Sequence, residues 1–571
     1  MKKILLLFRL LSSKEKKLFY LLIILTFLSM ILEIIGISTV IPLISIILKN
    51  DLNNIPYLSK FIPFEIESEK IVPFTLIGIG FIFIIKNLYL AFFANFLVRF
   101  GLDTGKRLGQ TLYEGYIKLP YLKFVEKKYS SLIYNTTRAI DLFRDSLHLV
   151  AVLFTEILIF IGILSFLFLI DPYTLYVVGA VMVILFLLVY TLNKKKNIEW
   201  GKKSQFYETA RVKTLMESFN SIKELKIKNI ENFFFKEHQF SNDLKAEYAA
   251  KHNFNIYLPK LFFEIVILFT ILTIVFILRE LNFSQNDLIT KIGLFSAAAF
   301  RLYPSTYKII NSLQNFNFGL PAIVSINDEI KDIVLTESEE RTKLSTIDKN
   351  FNFEKLNVNN LYFRYPNRDN YILENLSLEI KKNEIVGIKG ETGSGKSTLI
   401  DIISGLLKPT KGKFFLNGKE LNYLPKSWNI NFSYVSQNIA LLDNSIKKNI
   451  TFGDENNLDD NELEKIIEIT QLKDMIKSSS KGLETLIGDK GIKISGGEKQ
   501  RIGIARALYS KKDLLIMDEA TNALDENTEN KIMSDIKKIK NLTIILISHK
   551  KSSLSYCEKI FKLENKKIVE E

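Results

Sequence analysis

Six long, predominantly apolar runs occur within the first 310 residues, and they constrain the fold more than any other feature of the chain. A helix needs about 20 apolar residues to cross the hydrocarbon core of a bilayer, so the runs predict six membrane-spanning helices. The sixth is the weakest, because Arg301, Lys308 and Asn311 interrupt it; a cytosolic helix is the alternative there. The expected spans are Leu18–Leu48, Ile71–Val98, Leu147–Ile170, Tyr173–Leu192, Ile256–Leu278 and Leu288–Ile310.

Basic side chains lie directly beside these runs. Lys14, Lys16 and Lys17 precede the first span, and Lys194–Lys196 follows the fourth. Lysine and arginine are retained on the cytoplasmic side of membranes, so we expect a multi-pass protein with its N-terminus in the cytoplasm. The formal net charge of +14 therefore indicates lipid headgroups rather than nucleic acid, since basic motifs interleaved with aromatic residues are absent from the sequence.

Cysteine and histidine exclude two further classes of protein. With Cys557 as the single cysteine, an internal disulfide framework is excluded. The four histidines lie on separate segments, without the spacing of a metal site.

Several charged residues fall deep inside apolar sequence. Glu33 and Lys86 each lie about fifteen residues, or about 22 Å of helix, from the outer ends of the first two spans, so an antiparallel hairpin would place them at similar depth, where an ion pair is one interpretation. Lys86, Lys260 and Arg301 form a set of embedded cations. Such groups usually face a partner or a cavity. They either fix helix packing as ion pairs or line a water-filled cavity that attracts an anionic substrate.

The second half of the chain has a different sequence pattern, which indicates a separate domain. We assign 1–320 to the membrane domain with long cytoplasmic extensions, 321–349 to a polar linker, and 350–571 to a domain of alternating short strands and amphipathic helices. That alternation predicts an α/β fold.

A phosphate-binding loop lies near the start of this domain. The strand Glu384–Ile388 leads into GETGSGKST and then into a helical pattern. Glycines let backbone N–H groups converge on phosphate oxygens, while Lys396 supplies positive charge and Ser397 a hydroxyl for Mg²⁺. The residues expected to contact the nucleotide are Gly390, Glu391, Thr392, Gly393, Ser394, Gly395, Lys396, Ser397 and Thr398.

A second apolar strand, Lys512–Glu519, ends in two acids. In phosphoryl transfer the first acid at such a position holds the Mg²⁺ shell, and a neighbouring acceptor orients water. Asp518 is therefore predicted to bind Mg²⁺, and Glu519 is predicted to be the general base.

Between these two motifs lies ISGGEKQR, Ile494–Arg501, which resembles the LSGGQ signature of the ABC transporter family. The resemblance implies ATP-contacting roles for Ser495, Gly496, Gly497 and Glu498, and adenine stacking by Tyr365. It also implies a catalytic role and an Mg²⁺ contact for Gln437, and a catalytic switch role for His549. The sequence departs from the family pattern at Ile494, Glu498, Asn522 and Lys550.

The resemblance implies a six-helix transmembrane domain of the ABC exporter type followed by a P-loop nucleotide-binding domain that hydrolyses ATP with Mg²⁺. One copy of each motif implies a homodimer, with a heterodimer as the alternative. The first span, ILEIIGISTVIPLISII, resembles bacterial flippases of lipid-linked oligosaccharides. An anionic, lipid-linked substrate crossing the bacterial inner membrane is the implied cargo; a general lipid or multidrug exporter and an ATP-gated channel or regulator are the alternatives.

Overall fold

The computed structural model describes residues 2–39, 43, 68–170, 172–280, 285–341, 353–366, 368–425, 428, 431–453, 459–488 and 494–571. The chain divides into two compact units. The first comprises Met1–Leu119 and Lys123–Ser338, and the second comprises Pro120–Leu122 and Glu339–Glu571.

The described part of the first unit is helical. Its elements are α1 Lys2–Leu10, α2 Ser13–Ser38, α3 Ser68–Lys118, α4 Tyr121–Glu126, α5 Tyr129–Thr136, α6 Arg138–Ile170, α7 Pro172–Asn220, α8 Ile222–Lys228, α9 Glu231–Glu280 and α10 Gln285–Arg341. Helix α4 begins in the three-residue segment that groups with the second unit.

Three helices in the described residues are long and apolar enough to cross a membrane: Ser13–Ser38, Pro73–Lys118 and Tyr129–Leu169. They coincide with the first three predicted spans. The last three predicted spans fall on α7, α9 and α10. The structure does not describe the side chains of residues 170–193 and most of those of residues 277–297 on these helices. The count of six spans therefore stays a prediction, as does the outer part of the first span beyond Thr39.

Helices α2, α3 and α6 bury one face against each other and expose apolar side chains on the other. Phe19, Leu22 and Phe143 are buried, whereas Ile77 and Leu88 are about 70% exposed. A lipid-facing surface gives this distribution, because the surrounding hydrocarbon is as apolar as the core.

Helix α10 extends past the boundary expected for the linker. Residues 321–338 belong to the first unit, and Ile326 and Ile333 are buried. On the same helix, Glu329 and Asp332 pair with the Lys127 ammonium at 2.8 and 2.9 Å. The polar residues from which a linker was predicted thus lie on the outer face of an amphipathic helix.

The described residues of the second unit form two sheets. The strands are β1 Lys355–Phe363, β2 Leu373–Lys381, β3 Ile385–Gly390, β4 Lys411–Leu416, β5 Lys419–Leu421, β6 Phe432–Val435, β7 Leu514–Asp518, β8 Thr543–Ile547, β9 Lys559–Glu564 and β10 Lys567–Glu570. In the described residues, antiparallel pairing gives the order β2-β1-β4-β5.

The other sheet has the order β10-β9-β3-β8-β7-β6, with parallel pairing everywhere except between β9 and β10. Ile547 is in register with both Ile388 and Asp518. All residues of β7 and β8 are buried, as expected for strands that are covered on both faces. The chain segments that follow β3, β8, β7 and β6 therefore leave the sheet at one edge.

Helices complete the unit. They are α11 Lys396–Ile403, α12 Ile446–Thr451, α13 Asp460–Ile469, α14 Lys473–Ser478, α15 Gly496–Tyr509, α16 Glu526–Lys537 and α17 Lys551–Leu554. Helix α11 packs Leu399 and Ile403 into a core shared with Trp428, whose indole N–H donates to the Ile403 carbonyl at 2.9 Å.

Candidate nucleotide site

The phosphate loop connects β3 to α11. It turns through Gly393 and Gly395, whose φ angles are +85° and +105°, a region that glycine adopts without a steric penalty. The Lys396 ammonium donates hydrogen bonds to the carbonyls of Gly390 and Glu391 at 2.7 and 2.9 Å. Burial lowers the pKa of Lys396, and the nearby carboxylates of the site oppose that shift. The loop is thus closed around a buried cation.

Strand β7 delivers Asp518 to the same edge of the sheet. Asp518 is 7% exposed and accepts a hydrogen bond from the Tyr434 hydroxyl at 3.2 Å. Burial raises the pKa of Asp518; the Glu519 charge adds to that effect, while Tyr434 and Lys396 oppose it. A buried acid whose pKa is raised in this way gains most from a cation placed beside it.

Two neighbours of Asp518 were missed in the sequence. Asp401 follows Ser397 by four residues on α11, and burial together with the Asp518 charge raises its pKa to about 6. Tyr434 lies on β6, three residues before Gln437. The spacing of four residues on a helix places Asp401 on the face of Ser397, which is the one sequence signal that pointed to it.

The Glu519 carboxylate is surrounded by three polar side chains. The amide nitrogens of Gln437 and Asn522 donate to its Oε2 at 2.7 and 2.8 Å. His549 Nε2 lies 3.4 Å from Oε1. The structure thus brings together the three residues predicted as catalytic, and it adds Asn522, which the sequence showed only as a departure from the family pattern. The Glu519 backbone has a φ of +49°, uncommon for a residue with a side chain.

Tyr365 lies beside the helix that follows the phosphate loop. Its ring packs edge-on against Phe363, with centroids 5.0 Å apart, and its hydroxyl lies 3.5 Å from the Thr398 hydroxyl. The predicted adenine-stacking residue is therefore next to the last residue of the loop.

The signature segment forms the start of α15. Ser495 caps the helix, and the Glu498 carboxylate accepts a hydrogen bond from the Ser495 backbone N–H. Gln500 accepts a hydrogen bond from the Ala523 backbone N–H at 2.7 Å, which ties the helix to the loop after β7. Among the described residues no hydrogen bond joins this segment to the phosphate loop, the other predicted ATP-binding segment.

The side chains predicted to bind magnesium fit the ion by their chemistry. Ser397, Asp518 and Gln437 offer a hydroxyl, a carboxylate and an amide oxygen, the hard oxygen donors that Mg²⁺ prefers. The Gln437 nitrogen bonds Glu519, so its oxygen is the atom left for a metal. In the described part of the chain no group of three His, Cys, Asp or Glu residues forms a metal cage, and an Mg²⁺ site completed by substrate phosphates needs none.

A second cluster of charges lies in the first unit. Glu33 pairs with the Lys86 ammonium at 2.9 Å and with Arg301 at 3.2 Å. Glu156, which the sequence did not single out, pairs with Arg301 at 3.3 Å and with Lys308 at 2.6 Å. The predicted pair of Glu33 and Lys86 is confirmed. We call the five residues the embedded ion network.

The embedded ion network borders a cavity of about 510 Å³. Glu33, Glu156, Arg301 and Lys308 line it together with apolar side chains of α3 and α6. Lys260 is exposed on α9, and no ion pair joins it to the network in the described part of the chain. The structure therefore brings Lys86 and Arg301 together and leaves Lys260 apart from them.

The chain shares sequence and fold with known proteins. Residues 373–522 match the ABC transporter family. An ATP-dependent lipid A-core flippase of Photobacterium profundum is 30% identical over 48% of this chain and 46% of that protein. A putative export ATP-binding/permease protein of Rickettsia typhi is 30% identical over 63% of this chain and 64% of that one. The matches thus span about half to two thirds of these relatives.

The likeness in fold extends further than the likeness in sequence. The structure of a bacterial Atm1-family ABC exporter with ATP bound superposes with a TM-score of 0.77, covering 96% of this chain and 93% of that one at 19% identity. The phosphate loop, the acids after β7 and the signature all lie within or beside the matched segment. Residues 373–522 of the second unit therefore match the ATP-binding domain of the ABC transporter family, and the chain has the fold of an ABC exporter.

Proposed function

We propose that this protein is an ATPase that drives export or flipping of an amphipathic, anionic, lipid-linked substrate across the bacterial inner membrane. The observation that carries the proposal is the convergence of Lys396, Asp518, Glu519, Gln437 and His549 at one edge of a parallel sheet, in a chain with apolar helices of membrane-spanning length. A charged lysine, a buried acid and a positioned base are what hydrolysis of a nucleotide triphosphate requires.

In this mechanism the phosphate loop binds the β- and γ-phosphates through Lys396 and the start of α11. When bound, Mg²⁺ neutralises charge on the phosphate oxygens; Ser397, Asp518 and Gln437 are the residues that would hold it. Glu519 orients the attacking water and accepts its proton, while Asn522 and Gln437 hold the carboxylate in place. His549 sits on the other carboxylate oxygen, where it stabilises charge that develops on the γ-phosphate.

Two copies of the chain are needed in this proposal. The signature segment makes no described hydrogen bond to its own phosphate loop, so we infer that the signature of a second copy closes each site. ATP that binds the closed pair more tightly than the open one would favour closure, and hydrolysis would release it. We propose a homodimer in the inner membrane, with the second unit in the cytoplasm.

The embedded ion network supports the proposed substrate class. Its two carboxylates face three cations, which leaves one positive charge in excess beside an apolar cavity. Lys308 is half exposed, whereas Glu156 is buried. An anionic head group attached to a lipid fits such a surface, because the charge would meet Lys308 and Arg301 while the acyl chain meets apolar side chains. The name of the Photobacterium relative, a lipid A-core flippase, agrees with a lipid cargo.

The test is reconstitution of the full chain in liposomes. We expect Glu519→Gln to lower the hydrolysis rate about 100-fold or more, whereas Glu526→Gln, an acid at the start of α16, should leave it unchanged. Flipping of a fluorescent diphosphate-linked glycolipid should stop with Glu519→Gln and slow with Lys308→Ala, but not with Lys331→Ala, an exposed lysine on the same helix. Stimulation of hydrolysis by uncharged drugs alone would instead support the multidrug exporter. An enzyme whose hydrolysis is insensitive to Glu519→Gln would refute the assignment of the site.

A further inference from the structure

The chain builds the same helix start twice. At α2, the Ser12 backbone N–H donates to Glu15 at 2.8 Å, and the Glu15 N–H donates back to the Ser12 hydroxyl at 3.3 Å. At α15, the Ser495 N–H donates to Glu498 at 2.7 Å, and the Glu498 N–H donates to the Ser495 hydroxyl at 3.3 Å. Both are capping boxes, which satisfy N–H groups that a helix start leaves free.

The two boxes differ in how the glutamate charge is balanced. The Arg107 guanidinium donates to both oxygens of Glu15, at 2.6 and 2.7 Å. Glu498 has no ion pair among the described residues, which exclude 489–493 just before it. Within the described residues, the N-terminal end of α15 therefore carries a carboxylate without an ion pair, and Ser495 itself is exposed.

Glu498 also engages the Ser495 side chain. The Ser495 hydroxyl donates to Glu498 Oε2 at 2.8 Å, the same oxygen that accepts the Ser495 backbone N–H. A hydroxyl has one proton to donate. While the hydroxyl proton is hydrogen-bonded to the Glu498 carboxylate, Ser495 offers an incoming anion only lone pairs.

We propose that Glu498 sets the affinity for ATP, because its carboxylate competes with the terminal phosphate of ATP for the hydroxyl and the backbone N–H of Ser495. The inference rests on the proposed function, in which this segment of a second copy meets the bound nucleotide. Two effects act in the same direction: the carboxylate occupies the donors, and it repels a phosphate that approaches the helix end. Closure of the dimer must displace or neutralise Glu498, so the residue raises the ATP concentration at which the sites close.

Glutamine is the informative replacement. It keeps the length of the side chain and can fill the same position of a capping box, so the helix start is retained. Its amide is neutral and offers a donor of its own. We expect Glu498→Gln to lower the KM for ATP about threefold to tenfold, the size of effect that one unscreened charge has near a helix end, with kcat changed by less than about twofold.

The experiment measures hydrolysis against ATP concentration for the full chain in liposomes, at low and high salt. Asp459→Asn is the matched control, because Asp459 also places a carboxylate on a helix start of the second unit, at α13. Its KM should equal that of the wild type. The lowered KM of Glu498→Gln should approach the wild-type value as salt is added, since screening weakens exposed charges.

The possible failures are distinguishable. Normal wild-type hydrolysis together with an unchanged or raised KM for Glu498→Gln would overturn the role of Glu498 alone. A lowered KM that is equally large at high salt would also overturn it, because charge would not be the cause. The proposed function would instead be overturned if the wild-type protein did not hydrolyse ATP, or if the Glu519→Gln variant hydrolysed it normally.

Discussion

The pair of Glu33 and Lys86 offers a direct test of how the membrane helices are held together. The side chains are 8% and 13% exposed and lie 2.9 Å apart. Arg301 keeps a second carboxylate, Glu156, at 3.3 Å. Lys86 has no carboxylate partner other than Glu33 in the described part of the chain. Glu33→Gln therefore leaves the Lys86 ammonium buried without a counter-ion.

The expected cost follows from that geometry. At 2.9 Å and an effective dielectric constant of about 20, the Coulomb attraction is about 6 kcal/mol. The remaining solvent contact of Lys86 offsets part of it, and breaking a buried pair on one side typically costs about 3 to 5 kcal/mol. We expect Glu33→Gln to lower the free energy of unfolding by that amount. The double variant Glu33→Gln/Lys86→Met should recover most of the loss, because it removes both charges.

The assay is equilibrium unfolding of the full chain in detergent micelles, followed by circular dichroism. The matched control is Glu199→Gln, which breaks a Lys–Glu pair of nearly the same length, 2.8 Å, whose side chains are 44% and 61% exposed. Exposed pairs contribute little, so its midpoint should not move. If Glu33→Gln unfolds like Glu199→Gln, or if the double variant is as unstable as the single one, the ion pair does not hold the helices.

Two further substitutions test the nucleotide domain. Burial and the Asp518 charge raise the pKa of Asp401 from 3.8 to about 6. Between these pH values the folded protein keeps the proton and the unfolded chain loses it, so stability falls as the pH rises through that window. Asp401→Asn should therefore raise the free energy of unfolding by about 1 to 2 kcal/mol near pH 7.5, a figure already reduced for partial solvent screening. The gain should vanish towards pH 4, and a gain independent of pH would contradict this cause. Gly390→Ala should prevent stable folding, because its Cβ would lie 2.5 Å from the Leu563 carbonyl oxygen. At Gly393 an added Cβ meets no atom within 4 Å, so Gly393→Ala should cost only the strain of a positive φ, about 1 kcal/mol. Thermal unfolding compares the two variants, and equal midpoints would refute the steric argument.

The nucleotide site was largely predictable because its residues end parallel strands. Strand β7, Leu514–Asp518, lies within the predicted strand Lys512–Glu519, and β8 ends at Ile547, two residues before His549. Parallel strands in one sheet direct the segments that follow them to a common edge. Gln437, Glu519 and His549 each follow one of these strands closely, and they meet at that edge.

Contacts chosen by tertiary packing could not be predicted in this way. Asp401 and Tyr434 belong to the site only because α11 and β6 pack beside Asp518. Glu156 lies on a helix whose rotation relative to α10 decides whether it meets Arg301. Lys260 has a similar place in the sequence pattern, and it lies outside the network since α9 presents it on an exposed face. Periodicity gives the depth of a residue along a helix, and its direction depends on the neighbouring helices.

The three side chains around Glu519 have a consequence for the energetics of each turnover. A carboxylate held by two amide groups and approached by an imidazole has little rotational freedom left to lose. The entropy needed to aim the proton acceptor is then given up once, during folding, rather than in every reaction cycle. Loosening any one of these contacts would widen the range of orientations the acceptor samples, and the reaction would slow even though every reacting group remained in place.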